Sequence, residues 1–157
     1  MNKENFRIVL HEPAIPQNTG NIIRLCDCAG CSLYIAGKPG FHFTDRHMKR
    51  AGLDYGQDVK IEKVASLKEL WEKFPENNFY YLSTKVSKKY SEVSFKPGDF
   101  LVFGSETKGL PEEIIFSNPK TSLTLPMVSG KRSLNLSNSV SIVVYEALRQ
   151  NNFPKLI

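Results

Sequence analysis

Three short segments carry residue types able to do chemistry, and the first is Gly104-Ser105-Glu106-Thr107-Lys108-Gly109-Leu110-Pro111. It follows the nearly all-apolar run 99–103 and precedes Glu112-Glu113-Ile114-Ile115, a helix that Pro111 is placed to start. Its glycines let backbone approach a ligand closely, and Glu106 can accept hydrogen bonds from hydroxyls or amines. Two glycines five apart suggest a phosphate-binding P-loop, but that loop continues Gly-Lys-Ser/Thr, where this chain has Gly109-Leu110-Pro111. There is no Gly-x-Gly-x-x-Gly dinucleotide fingerprint. A neutral or cationic ligand therefore fits the loop better than a triphosphate.

The second segment, Ser133-Leu134-Asn135-Leu136-Ser137-Asn138-Ser139, gathers hydroxyls and amides at a helix start, more of them than capping alone requires. It follows Leu125-Pro126-Met127-Val128 and the basic turn Ser129-Gly130-Lys131-Arg132. The third is Ile15-Pro16-Gln17-Asn18-Thr19-Gly20-Asn21-Ile22-Ile23-Arg24, where Thr19 or Asn18 can cap a helix and Arg24 calls for an anion or solvent. Cys26, Cys28 and Cys31 lack a fourth zinc ligand, and His11, His42 and His47 have no zinc spacing, so the thiols read as buried or half-buried and free. Basic residues form three patches: Arg46, Lys49 and Arg50; Lys85, Lys88 and Lys89; Lys131 and Arg132.

These segments sit between strands and helices. Residues 6–10, 32–36, 59–64, 78–84, 99–103 and 122–125 read as strands. Helices are expected over 19–29, over a short basic stretch 44–51 capped by Thr44 or Asp45, and over 66–74, where Ser66 and Glu69 make a capping box. The last helix runs from Leu136, with Val140, Val143, Val144, Ala147 and Leu148 on one stripe and Asn138, Ser141, Tyr145 and Arg149 on another that can meet a partner. Alternating strands and helices imply an α/β domain with a mainly parallel sheet flanked by helices, binding ligands at the carboxyl ends of its strands.

The 157 residues fit one domain, 1–157, with residues 1–5 as a disordered tail. An apolar fraction of 41% with 24% charged residues is that of a soluble globular protein, and no run is long enough to span a membrane. With no signal segment, a cytoplasmic protein is expected. A net charge of +5 suits a polyanionic partner without requiring one.

Asn18-Thr19-Gly20-Asn21-Ile22-Ile23-Arg24, Arg50-Ala51-Gly52-Leu53-Asp54-Tyr55, the glycine loop 104–111 and Ser133-Leu134-Asn135-Leu136-Ser137-Asn138-Ser139-Val140-Ser141 together resemble the SPOUT superfamily of RNA methyltransferases, in its TrmL (YibK-like) branch. The resemblance covers about residues 6–153. It implies an α/β fold with a C-terminal deep trefoil knot, a homodimer, no metal and no membrane. It also implies transfer of methyl from S-adenosylmethionine, leaving S-adenosylhomocysteine, to the ribose 2'-OH of the wobble nucleotide, C34 or modified U34, of tRNA such as leucine tRNAs. The alternatives are 2'-O-methylation of another RNA, or a non-catalytic RNA-binding module of the same fold.

Position by position, the resemblance assigns cofactor contacts to Leu82, Ser83, Thr84, Gly104, Glu106, Gly109, Leu125, Met127, Ser133 and Leu134. Ser105 stands where the family has proline. Arg24 is the first catalytic candidate, with Asn135, and with Tyr145 in a secondary role. A guanidinium stays protonated, so Arg24 is expected to pin a phosphate and stabilise the developing alkoxide rather than act as a base. RNA contacts are expected from Asn18, Arg46, Lys49, Arg50, Lys88, Lys131 and Arg132.

Overall fold

The computed structural model describes residues 4–54 and 56–157; Tyr55 of the second motif lies outside the described residues, as do residues 1–3. The order is β1 (Arg7–His11), α1 (Pro16–Ala29), β2 (Ser32–Ala36), α2 (Arg46–Met48) running into a π-helical turn (Lys49–Leu53), then β3 (Ile61–Val64) and α3 (Leu67–Lys73). There follow β4 (Phe79–Leu82), a 3-10 turn (Tyr90–Glu92), β5 (Phe100–Phe103), α4 (Glu112–Ser117), β6 (Ser122–Leu123) and α5 (Leu136–Gln150). All pairings are parallel in one sheet ordered β3-β2-β1-β5-β4-β6, with Arg7 in register with both Ser32 and Phe100. The α/β expectation with a parallel sheet therefore holds.

Alternate residues of the strands feed two cores. Ile8, Leu10, Leu33, Ile35, Leu101 and Phe103 face α1 and α5, which supply Ile22, Ile23, Val140, Val143 and Val144. Val9, Tyr34, Phe100 and Val102 face the opposite layer, where Leu67 and Leu70 of α3 and Ile115 of α4 cover them. Coverage on both faces explains why β2 and β5 are buried at every position and read as unbroken apolar runs. The predicted α5 stripe is buried from Val140 to Leu148, while Asn138, Tyr145 and Arg149 face outward.

Several boundaries move, each for a local reason. α1 begins at Pro16, three residues before the expected Thr19, because proline at the first helical turn gives up no intrahelical bond; neither Asn18 nor Thr19 is the cap. The basic helix is a single α turn, capped by the Asp45 carboxylate accepting from His47 and Met48 N–H, before it widens into the π turn. Strand β6 stops at Leu123 because Thr124 exchanges its backbone bonds with Lys88 and Tyr90 instead. The capping box at α3 is displaced by one residue: Ser66 Oγ accepts from Glu69 N–H, and the Glu69 carboxylate accepts from Ala65 N–H at 2.7 Å.

The expected loose tail does not extend to its last members. Asn5 is buried at 2% exposure, its amide donating to the Ala29 and Pro154 carbonyls, and Glu4 pairs with Arg7 at 2.7 Å. Among the thiols, Cys26 and Cys31 are buried, and burial pushes Cys31 up to about 12, whereas Cys28 is exposed rather than half-buried because it lies on the outer face of α1.

Glycines 20 and 52 of the first two motifs meet each other. A Cβ on Gly52 would lie 1.5 Å from the Gly20 carbonyl oxygen, and one on Gly20 would lie 2.5 Å from the Met48 oxygen. The π turn therefore packs on α1 with no room for a methyl group. Gly52→Ala is expected to cost about 3 kcal/mol, read as a Tm lower by roughly 6–12 °C in a thermal melt.

Candidate functional site

A cleft of about 810 Å³ opens at the carboxyl ends of β4, β5 and β6, the edge of a parallel sheet where ligands bind. All ten residues assigned to the cofactor line it: Leu82, Ser83 and Thr84 leaving β4, Gly104, Glu106 and Gly109 of the glycine loop, Leu125 and Met127 after β6, and Ser133 and Leu134 before α5. Asn18, Arg132 and Asn135 line it too. Phe103 and Thr124 also face it; sequence reading passed over them because they looked like ordinary strand residues. Apolar walls and nearby hydroxyls suit an amphipathic ligand.

The glycine loop is closed by its own backbone. Gly109 N–H donates to the Ser105 carbonyl at 2.9 Å, and Lys108 N–H donates to Ser105 Oγ at 3.0 Å. The serine hydroxyl thus fastens the turn. A Cβ on Gly104 would sit 2.1 Å from the Gly109 carbonyl carbon, so glycine is needed for the loop to fold back on itself. Gly109 has φ +66, in the left-handed region.

The three motif segments are tied together by one chain of hydrogen bonds. Helix α1 has no side-chain cap of its own and no acidic residue in its first turn. The Glu106 carboxylate serves that end from across the sheet, accepting from Ala14 N–H at 2.9 Å, Ile15 N–H at 2.8 Å and Asn18 Nδ2 at 3.1 Å. Its charge also complements the positive end of the helix. Asn18 Oδ1 in turn accepts from Asn135 Nδ2 at 3.1 Å, and Asn135 Oδ1 caps α5 by accepting from Ser137 and Asn138 N–H and from Ser137 Oγ.

This network bears on two readings. Glu106 lines the cleft, but its carboxylate already accepts from three donors of its own chain, so little of it is open to a ligand. Asn18 is not displayed for RNA; it is 6% exposed, with donor and acceptor both engaged.

Apart from Arg132, which lines the cleft, the other candidates lie away from it. Arg24 is exposed on α1, six residues and about 9 Å along the axis beyond Asn18. Tyr145 is 43% exposed on the outer stripe of α5, with Ile142 beside it at 39%. Arg46, Lys49 and Arg50 are exposed on α2 and its π turn, and Lys131 and Arg132 on the loop before α5. The middle basic patch is partly committed: Lys88 donates to the Lys120 carbonyl at 2.8 Å, and Lys85 pairs with Glu112 at 2.7 Å. No His/Cys/Asp/Glu group able to hold a metal occurs among the described residues.

The SpoU rRNA Methylase family model matches residues 5–145. A protein of Saccharophagus degradans named tRNA (cytidine(34)-2'-O)-methyltransferase is 46% identical over 152 residues, covering 94% of this chain and 97% of that protein. One of the same name from Escherichia coli is 45% identical over 150 residues, covering 95% and 96%. A solved structure from work on the 2-OH methylation of C/U34 on tRNA superposes with a TM-score of 0.88 at 36% identity, covering 94% of this chain and 96% of that one.

Glu106→Gln places an amide donor against the Ala14 or Ile15 N–H and should cost about 1.5–3 kcal/mol in denaturant unfolding. Asn18→Ala and Asn135→Ala share one bond, so their double variant should depart from additivity by about 0.5–3 kcal/mol. Additive losses would mean that the network carries no coupling.

Proposed function

The chain belongs to the SpoU methylase family, and from that premise we propose that it transfers a methyl group from S-adenosylmethionine to the ribose 2'-OH of nucleotide 34, C or modified U, in tRNA. The observation that carries this reading is the convergence of motif residues from the two C-terminal segments on one cleft, with Asn18 of the first motif bonded to both. Leu82, Phe103, Leu125 and Met127 offer apolar walls fit for a purine. Ser83, Thr84 and Ser133 bring hydroxyls for a ribose, and Arg132 brings a cation toward a carboxylate. The donor set fits S-adenosylmethionine, which when bound supplies an activated methyl on sulfonium.

The remaining work for the protein is to hold the ribose oxygen in line and to ease loss of its proton. Orientation of this kind is worth up to about 7–11 kcal/mol. Arg24 is assigned to a phosphate of the RNA and to the developing alkoxide, with phosphate or water accepting the proton. Asn135 fixes the start of α5 at the cleft, and Tyr145 is assigned to the outer surface, where a base or a second subunit can stack on it. Arg46, Lys49, Arg50, Lys131 and Arg132 are assigned to RNA phosphates.

Two further features belong to the same reading. Residues 126–135 run from the edge strand β6 back across the cleft to α5, which packs beside α1, and we take this path to be threaded as the family's trefoil knot. The exposed Ile142 and Tyr145 give α5 a face for a second copy, making a homodimer of the cytoplasm. No helix among the described residues is long and apolar enough to cross a membrane.

Incubation with radiolabelled S-adenosylmethionine and bulk unmodified tRNA, followed by mapping, should place the label on the ribose of nucleotide 34. Label in ribosomal RNA alone would replace the substrate, and cofactor binding without label in any RNA would make the chain a binding module. Arg24→Ala should lower transfer by roughly 100- to 1,000-fold with cofactor affinity near that of the parent, while Arg24→Lys retains part of the rate. Loss of cofactor binding in Arg24→Ala would remove Arg24 from the RNA side.

A further inference from the structure

The glycine loop has a second cavity on its other side, of about 450 Å³, at the carboxyl ends of β1 and β2. His11 and Glu12 close it from β1, Lys38 and Gly40 from the segment after β2, and Thr107 and Lys108 from the tip of the glycine loop. Ser105, Thr107, Lys108 and Gly109 therefore wall both cavities. We propose that this second cavity is a subsite for the RNA nucleotide next to the methylated one, its phosphate held by Lys38 and Lys108 and its base edge met by His11. The inference rests on the methyltransferase reading and extends it to the far side of the glycine loop, where His11, Glu12 and Lys38 lie outside the motifs.

The charges point to an anion. Six charged or titratable side chains line the cavity: His11, Glu12, Lys38, Lys85, Lys108 and Glu112. Lys85 and Glu112 neutralise each other at 2.7 Å. Lys38 and Lys108 then outnumber Glu12. Both lysines are exposed, so their ammonium groups can reach a phosphate that lies at the mouth while a base occupies the interior.

The two residues at the end of β1 suit a base. His11 is half-buried, and burial holds its imidazole below the usual histidine range, with Glu12 opposing the shift. A neutral imidazole presents one donor and one acceptor, the complement of a base edge rather than of a phosphate. Glu12 has φ +50, in the left-handed region, which a non-glycine residue adopts at a cost. The neighbouring elements hold it there: its N–H donates to the Ala36 carbonyl at 2.9 Å, and its Cγ lies where a Cβ on Gly37 would be, at 2.7 Å. This turn follows directly on His11, and both residues line the cavity. Single-stranded RNA loops are read in this manner, with bases splayed out singly and met at their edges.

Lys38 and His11 line the second cavity and not the first, so they test the subsite separately from the cofactor cleft. The measurement is binding of a fluorescein-labelled tRNA anticodon stem-loop, followed by anisotropy in the presence of saturating S-adenosylhomocysteine at several salt concentrations. Lys38→Ala should weaken binding about 3- to 10-fold and lower the slope of log K against log salt by about 0.7, the value for one single-strand phosphate contact. Lys38→Arg should restore both, and cofactor affinity should stay unchanged in each variant. His11→Ala should reduce the discrimination among stem-loops that differ in the nucleotide beside the target, with the salt slope retained. Equal affinity and slope in Lys38→Ala, with the parent protein still methylating the stem-loop, would overturn the subsite and leave the methyltransferase reading standing. A parent protein that binds and methylates no stem-loop would remove both.

Discussion

The arrangement depends on a carboxylate placed where a helix has nothing of its own. Glu106 stands 92 residues beyond Ala14 in the chain, yet it satisfies the Ala14 and Ile15 amides that lead into α1 and holds Asn18 in place. Through Asn18 and Asn135 the same bonds reach the start of α5. Two helices on one face of the sheet and the loop between the cavities are thereby fixed by a single set of polar contacts. Charge-assisted bonds to backbone N–H groups are among the stronger ones available to a protein, and these sit partly screened from water. The polar residues Asn18, Glu106 and Asn135 thus hold the elements that form the cleft as well as lining it.

Much of this was legible in the chain. Strand and helix order followed from apolar spacing because both faces of the sheet are covered, and α5 was legible to the residue because its buried stripe repeats without interruption from Val140 to Leu148. The cleft was legible as a set of loops, since parallel sheets place ligands at strand ends. What was not legible were the partners. A sequence gives Glu106 a free carboxylate and Asn18 a free amide; only the fold brings Ala14, Ile15 and Asn135 against them. The second cavity was invisible for the same reason, because His11, Lys38 and Lys108 come from three separate connections.

The glycines divide by what they permit. Gly104 admits the return of its own loop, and Gly20 with Gly52 admits the approach of two helical segments, so each removes a side chain for the sake of backbone contact. None of the three exposes bare backbone for a phosphate, which is the physical reason the resemblance to a P-loop stops at spacing. The motif Asn18 to Arg24 is likewise composite: Gly20 packs, Asn18 bonds, and Asn21 and Arg24 are turned outward.

The central position of β1 bears on how the molecule can be made. On the ribosome the chain emerges from its N-terminus, and β1 finds one neighbour, β2, soon after synthesis. Its other neighbour, β5, and the carboxylate that completes α1 both arrive only when residues 100–106 have left the tunnel. Until then the backbone edge of β1 that pairs with β5 is open, and the Ala14 and Ile15 amides lack their carboxylate acceptor. The pairing of β1 on both edges and the acceptor for the Ala14 and Ile15 amides are therefore completed together, late in synthesis.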